Sequence, residues 1–193
     1  DKLPKAVAVL DPKRKDCRYP YKELSGCGVG FKLCQGLNTI YKIPESELFE
    51  LTDLLAISIA SDIVAMTGEN RVLAKQGLKF LRKTRKFGLR LLIPEEKLAH
   101  FEISNIVFDI APKINAAGRI SHAKASVELM ISDNLKQAHQ IVNEIVNLND
   151  ERREMDINIT QSALNQVLEL EKVERYSTIV YDPSWNKGVI GIV

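Results

Sequence analysis

The stretch SIASDIVAMTGENR (58–71) decides how the chain is read, because it lies between two helices of different character. Upstream, residues 45–60 place Leu48, Leu51, Leu54, Leu55, Ile57 and Ile59 at helical spacing, the pattern of a buried helix. Ser61 and Asp62 interrupt it. Downstream, a second helix is expected over about 69–82, with Val72, Leu73, Gly77, Leu78 and Leu81 on one face. Asp62 thus follows a buried helix among Ile59, Ala60, Ser61, Ile63 and Val64. A carboxylate in such surroundings needs a metal, an arginine or backbone donors. Capping the segment that follows is the more economical role on local sequence alone. No second carboxylate or histidine stands at ligand spacing beside it, so this stretch alone does not build a metal site.

Toward the C-terminus, an amphipathic helix is expected over 101–110, followed through Pro112 by a loop, KINAAGRI, at 113–120. Asn115 offers an amide, Gly118 permits a turn or a close backbone approach, and Arg119 presents a planar fork of donors suited to phosphate oxygens. A helix C-cap with a surface arginine explains the same residues, and the two readings are balanced. A short helix is expected over 122–131. Ser132 and Asp133 then stand where a longer helix is capped. Its apolar residues run from Leu135 to Leu168 with a polar interval at 149–154, which suits either one connector helix or two helices turning near Asn149. A strand is expected over 177–181, with Trp185 as a packing anchor in the loop beyond it.

Toward the N-terminus, residues 6–10 read as a buried strand closed by Asp11-Pro12. Ser25 can cap a helix reaching Leu37, with Gly26, Gly28 and Gly30 allowing close packing at its start. No phosphate-loop lysine follows these glycines. Lys79, Arg82, Lys83, Arg85 and Lys86 form a basic cluster with Phe80 and Phe87 interleaved, as at a solvated helix end or along a phosphate backbone. His100, His122 and His139 have no partners at ligand spacing.

The 193 residues are 45% hydrophobic and 27% charged, enough to bury a core and form one good-sized domain or a domain plus the start of a second. Net charge is +2, so composition does not by itself point to nucleic acid. The apolar runs are too short for a membrane span, and no signal peptide is recognisable. Cys17, Cys27 and Cys34 are odd in number and lack zinc spacing, which suits buried thiols in a reducing, cytoplasmic setting. With Asp1 first and GVIGIV last, the sequence is expected to be an internal segment of a longer protein.

Taken in order, these segments resemble a RecJ-type single-stranded-DNA-specific exonuclease of the DHH phosphoesterase family. LPKAVAVLDPKRKDCRYPYKELSGCGVGFKL is similar to the stretch after that family's Asp-His-His motif, and SIASDIVAMTGENRVLAKQGL is similar to its fourth motif. KINAAGRI with SVELMISDN resembles its next signature loop and helix, and DPSWNKGVIGIV resembles the opening of the associated C-terminal domain. The resemblance implies metal-dependent 5′-to-3′ hydrolysis of single-stranded DNA with Mn²⁺ or Mg²⁺, in repair and recombination. It assigns Asp62 to the metal, and Asn115 and Arg119 to the DNA phosphates. Glu69, Asn70 and Arg71 match a family-typical stretch that begins a supporting helix. Asn186 departs from the pattern, standing where a histidine is common. The Asp-x-Asp and Asp-His-His motifs are absent from this sequence. No complete catalytic site is therefore expected here, nor a tightly held metal, nor any small-molecule cofactor. A single-strand-binding protein or a helicase is an implied further partner of the parent protein. Other readings are a different DHH phosphoesterase acting on oligonucleotides and a non-catalytic single-strand-binding scaffold. The implied fold is helix-rich α/β. Residues 1–132 form the C-terminal part of a parallel-sheet DHH domain, 133–175 a connector helix or helix pair, and 176–193 the start of a second domain.

Overall fold

The computed structural model describes residues 3–120, 123–170 and 176–191. They fall into two compact units, Asp1–Ala111 and Pro112–Val193. The described residues are rich in helix and contain no strand.

The first unit is organised by a crossing of α3 (Thr52–Ser61) and α4 (Gly68–Leu81). In α3, Thr52, Asp53, Leu55, Ala56, Ile57, Ile59 and Ala60 are all buried, as the continuous apolar pattern requires. The crossing is tight because Gly77 has no side chain. A Cβ there would lie 2.1 Å from the Thr52 carbonyl oxygen and 2.7 Å from the Ala56 Cβ. Leu55, Ile59 and Ala74 from this pair meet Phe31 of α1 (Gly26–Tyr41) in one apolar cluster. Leu48, Val64, Met66, Leu73 and Ile103 pack around it. Each large side chain buried this way contributes about 1.5–3 kcal/mol.

Polar contacts close the same unit. Asp53 is only 2% exposed, and Lys86 Nζ lies 2.9 and 2.8 Å from its two oxygens while Thr84 Oγ1 donates to Oδ2 at 2.8 Å. Arg82 donates through Nε and Nη2 to the Phe101 carbonyl at 3.1 and 2.9 Å. The basic cluster of 79–86 is thus partly internal cement, and Lys83 lies over the Phe80 ring at 4.8 Å.

Several expectations are corrected here. The helix of 45–60 is broken at Leu51 into α2 (Glu45–Glu50), which buries no residue, and α3. Residues 6–10 form no strand: Val7 and Leu10 are exposed and irregular, since an apolar run pairs as a strand only when another strand offers its backbone groups. Among the α1 glycines only Gly28 is buried, whereas a Cβ at Gly26 or Gly30 would meet open space. None of the three cysteines is fully buried; Cys27 is exposed. After α5 (Phe87–Leu92) and a 3-10 turn (Glu95–His100), the helix of 101–110 is a short α6 (Ile103–Asn105) followed by a π turn, Ile106–Ile110.

In the second unit, KINAAGRI is helix and not loop: α7 spans Ala111–Ile120. The fully buried Ala116 and Ala117 favour helix. Ser126 of α8 (Lys124–Ile131) donates its hydroxyl to the Ile114 carbonyl at 3.0 Å. Residues 135–170 form a single helix, α9 (Leu135–Leu170), whose sequence contains neither glycine nor proline. Its cap is Asn134, which accepts from the N–H groups of Lys136 and Gln137, and not Ser132 or Asp133. Ala138, Ile141, Ile145, Asn149 and Ile159 are buried along one seam, so the polar interval places Asn149 inside it. Residues 177–181 form no strand; Gln166 of α9 holds Tyr181 instead, donating to its carbonyl and accepting from its N–H, both at 3.1 Å. A short α10 (Lys187–Ile190) follows. His122 lies outside the described residues. No described helix is long and apolar enough to cross a membrane.

The α3–α4 crossing predicts that Gly77→Ala destabilises the chain by about 1–3 kcal/mol, the usual cost of overpacking. Urea unfolding should show a lower midpoint at unchanged slope, and an unchanged midpoint would contradict the tight crossing.

Candidate functional site

Asp62 closes α3. Its N–H donates to the Ser58 carbonyl at 2.9 Å, and its side chain is exposed, not enclosed by the apolar residues around it in sequence. It caps the end of the preceding helix, whereas α4 begins only at Gly68. The one-turn spacing brings Ser58 Oγ to 3.0 Å from Asp62 Oδ2, and the same hydroxyl lies 3.0 Å from Ser25 Oγ. A hydroxyl has one proton, so Ser58 divides its donation between Ser25 Oγ and Asp62 Oδ2. Gly28 N–H donates to Ser25 Oγ at 3.1 Å. The buried cap of α1 thereby orients a carboxylate at the end of α3. Although Cys27 is exposed as a residue, partial shielding by its neighbours pushes its thiol above the ordinary value, and the nearby negative charge of Asp62 adds to the shift.

The loop after Asp62 is held from both sides. Tyr21 Oη lies 3.1 Å from the Ala65 carbonyl and 2.7 Å from the Thr67 carbonyl. Asn70, fully buried, donates its two amide hydrogens to the carbonyls of Glu23 and Ala65 at 2.6 and 3.0 Å. Its neighbour Glu69 accepts from Tyr19 Oη at 2.7 Å and pairs with Lys32 at 3.0 Å. Desolvation raises the Tyr19 phenol, as does its bond to Glu69. Ile63, with φ of 50°, sits in the left-handed region directly after Asp62, a conformation a β-branched residue adopts at a cost of about 1–2 kcal/mol. Strain of this kind gathers where the surrounding structure over-determines the backbone.

Among the described residues, no three His, Cys, Asp or Glu side chains are grouped so as to hold a metal ion. Asp62 fits one oxygen position of a hard divalent cation, and such a cation needs several.

Asn115 and Arg119 stand one turn apart on α7 and are both exposed, with Gly118 exposed between them and Ala116 and Ala117 buried behind. The helix brings the predicted pair onto one face, as a loop would not have guaranteed. A Cβ at Gly118 would meet only Ala123 Cβ at 3.7 Å, so nothing in the described packing requires glycine there. Arg119 also has a structural role, because its Nη1 donates to the Gly188 carbonyl at 3.0 Å. The Gly188 N–H is in turn capped by Asn186 Oδ1 at 2.8 Å. Gly188 is required by contact, because a Cβ would lie 2.6 Å from the Arg119 carbonyl oxygen. Sequence reasoning missed this clasp, as it missed the Ser25–Ser58 chain and the Asn70 strut. Asn186 two residues before Gly188 was the available sign of a helix cap.

No family model matches the chain. Proteins called single-stranded-DNA-specific exonuclease RecJ do match it. The one from Bacillus subtilis is 38% identical over 196 residues, covering 99% of this chain and 24% of that protein. That of Escherichia coli is 32% identical over 211 residues, covering 100% of this chain and 36% of the relative. A crystal structure of RecJ from Thermus thermophilus in complex with Mn²⁺ superposes with a TM-score of 0.76 at 30% identity, over 90% of this chain and 26% of that one. The chain is of RecJ type. It spans between about a quarter and a third of the length of these curated relatives. A second structure, of exonuclease RecJ bound to manganese, also superposes with a TM-score of 0.76, over 91% of this RecJ-type chain and 44% of its own.

The clasp makes Gly188→Ala a disruptive change. It should raise hydrogen exchange at the amides of Val189 and Ile190, both bonded to the Asn186 carbonyl, while Asn186→Ala costs about 1 kcal/mol as a lost cap. Unchanged exchange in Gly188→Ala would show that α10 does not depend on the Arg119 contact.

Proposed function

We propose that this RecJ-type chain is part of a metal-dependent exonuclease that hydrolyses single-stranded DNA from its 5′ end, in repair and recombination. Similarity to the B. subtilis exonuclease over 99% of the chain carries the proposal. Asp62 supplies one oxygen ligand to Mn²⁺ or Mg²⁺, ions that activate water and offset charge on a phosphate when bound. The remaining ligands lie outside the described residues. Asn115 and Arg119 face the strand, the guanidinium using the donors not spent on Gly188 to bind phosphate oxygens. The bare Gly118 between them lets a backbone phosphate approach the helix closely.

In the same reading, 1–132 belongs to a DHH-type phosphoesterase domain whose parallel sheet is formed by other residues. The connector is 133–175, and 176–193 opens the associated domain. The three free cysteines fit a cytoplasmic protein, and a single-strand-binding protein or helicase is a suitable neighbour for such an enzyme.

Removing one cation–phosphate pairing from a single-strand complex lowers the salt dependence of binding by about 0.7 in the log–log slope. Arg119→Ala in the 193-residue chain is therefore expected to weaken binding to oligothymidylate and reduce the slope by about that amount; an unaltered slope would remove Arg119 from the phosphate path.

By itself the chain is expected to leave 5′-phosphorylated single strands intact in Mn²⁺, and robust degradation would contradict the placing of ligands elsewhere. In a protein of the relatives' full length, Asp62→Ala should abolish or severely reduce turnover. Near-normal turnover would take Asp62 out of the metal set.

A further inference from the structure

A cleft of about 440 Å³ opens in the second unit between the middle of α9 and the turn that precedes α10. That volume lies in the roughly 300–1,000 Å³ range of sites that enclose small organic groups. Three apolar side chains, Met155, Ile159 and Trp185, line it, and Asn158 and Ser162 stand one helical turn apart on the α9 side. No lysine or arginine is among the lining residues, and one carboxylate, Asp182, is. Hydrogen bonds from the Ser184 hydroxyl and N–H hold Asp182 below its ordinary range, so it stays charged at neutral pH. With no cation in its lining the cleft offers a phosphate no partner, and it suits an uncharged, flat group with a polar edge.

The turn is built to present its indole. Asp182 accepts from the Ser184 N–H at 2.8 Å, and its carbonyl accepts from the Trp185 N–H at 3.2 Å, with Pro183 fixing the backbone between. Trp185 is half-buried, leaving part of the ring open to the cleft. The next residue, Asn186, also lines the cleft and caps Gly188, whose carbonyl receives Arg119. A flat aromatic surface and a phosphate-binding guanidinium thus hang on the same few residues.

We propose that this cleft is a nucleobase subsite, in which one base of a single strand stacks on Trp185 and turns its edge to Asn158 and Ser162. The subsite rests on the single-strand reading above. An amide and a hydroxyl both donate and accept, so they tolerate any base, as an enzyme without sequence preference requires. Stacking on an aromatic ring is similarly indifferent to base identity.

Trp185 is the only tryptophan in the sequence, so its fluorescence reports on this cleft alone. The 193-residue chain is titrated with oligothymidylate, with an abasic oligomer of the same length and phosphate count, and with thymidine. Binding is followed independently by the anisotropy of a labelled strand. Oligothymidylate should quench Trp185 and the abasic oligomer should not. Trp185→Ala should weaken oligothymidylate binding at least about fivefold, the low end of stacking effects, while leaving abasic binding unchanged. Trp185→Phe, which keeps a ring, should restore most of the affinity. Equal binding by the parent chain and Trp185→Ala, with no quenching, would overturn the subsite and leave the single-strand reading standing. Quenching by thymidine at the same concentrations as by the strand would make this a free-nucleoside site and overturn it too. Binding of neither oligomer by either readout would overturn both proposals.

Discussion

A missing side chain at Gly77 lets α4 rest on the backbone of α3, and the first unit is arranged around that contact. With the Thr52 carbonyl where a Cβ would otherwise be, the two helices come close enough for Leu55, Ile59 and Ala74 to share one cluster with Phe31. The same approach encloses Asp53, which is tolerated because Lys86 and Thr84 satisfy its oxygens. Asp62 then emerges at the end of one helix and Asn70 at the start of the other, so the crossing sets the frame within which the loop between them is held.

Side chains at both candidate sites are positioned by groups with structural roles of their own. Ser25 caps α1 and, through Ser58, also aims Asp62. Asn186 caps α10, supports the carbonyl that receives Arg119 and lines the cleft beside Trp185. Sharing of this kind lowers the conformational entropy lost on binding, because the donors are already ordered when a ligand arrives. It also couples function to local stability: a change that loosens α10 disturbs both the guanidinium and the indole.

Asp62, Asn115 and Arg119 could all be picked out by residue type and order, and the α3, α4 and α9 helices by apolar periodicity. The environments of those residues could not. Asp62 sits among apolar neighbours in sequence yet is exposed, because the chain turns outward at Ile63. The basic cluster of 79–86 suited a solvated helix end or a phosphate backbone, but Arg82 and Lys86 reach inward to a carbonyl and a buried carboxylate that lie far off in sequence. Gly118 and Pro112 signalled a loop, and the buried alanines between them prevailed because helix propensity and close packing acted together.

The sequence alone determined the helical periodicity, the order of the motifs and the one-turn pairing of Ser58 with Asp62, since these depend on neighbours within a few residues. Tertiary structure decided which glycines are obligatory: Gly77 and Gly188 face foreign backbone, whereas Gly26 and Gly30 face open space. It also left the apolar runs at 6–10 and 177–181 without strand structure. A strand is made by hydrogen bonds to another segment, and no stretch of sequence carries its own partner.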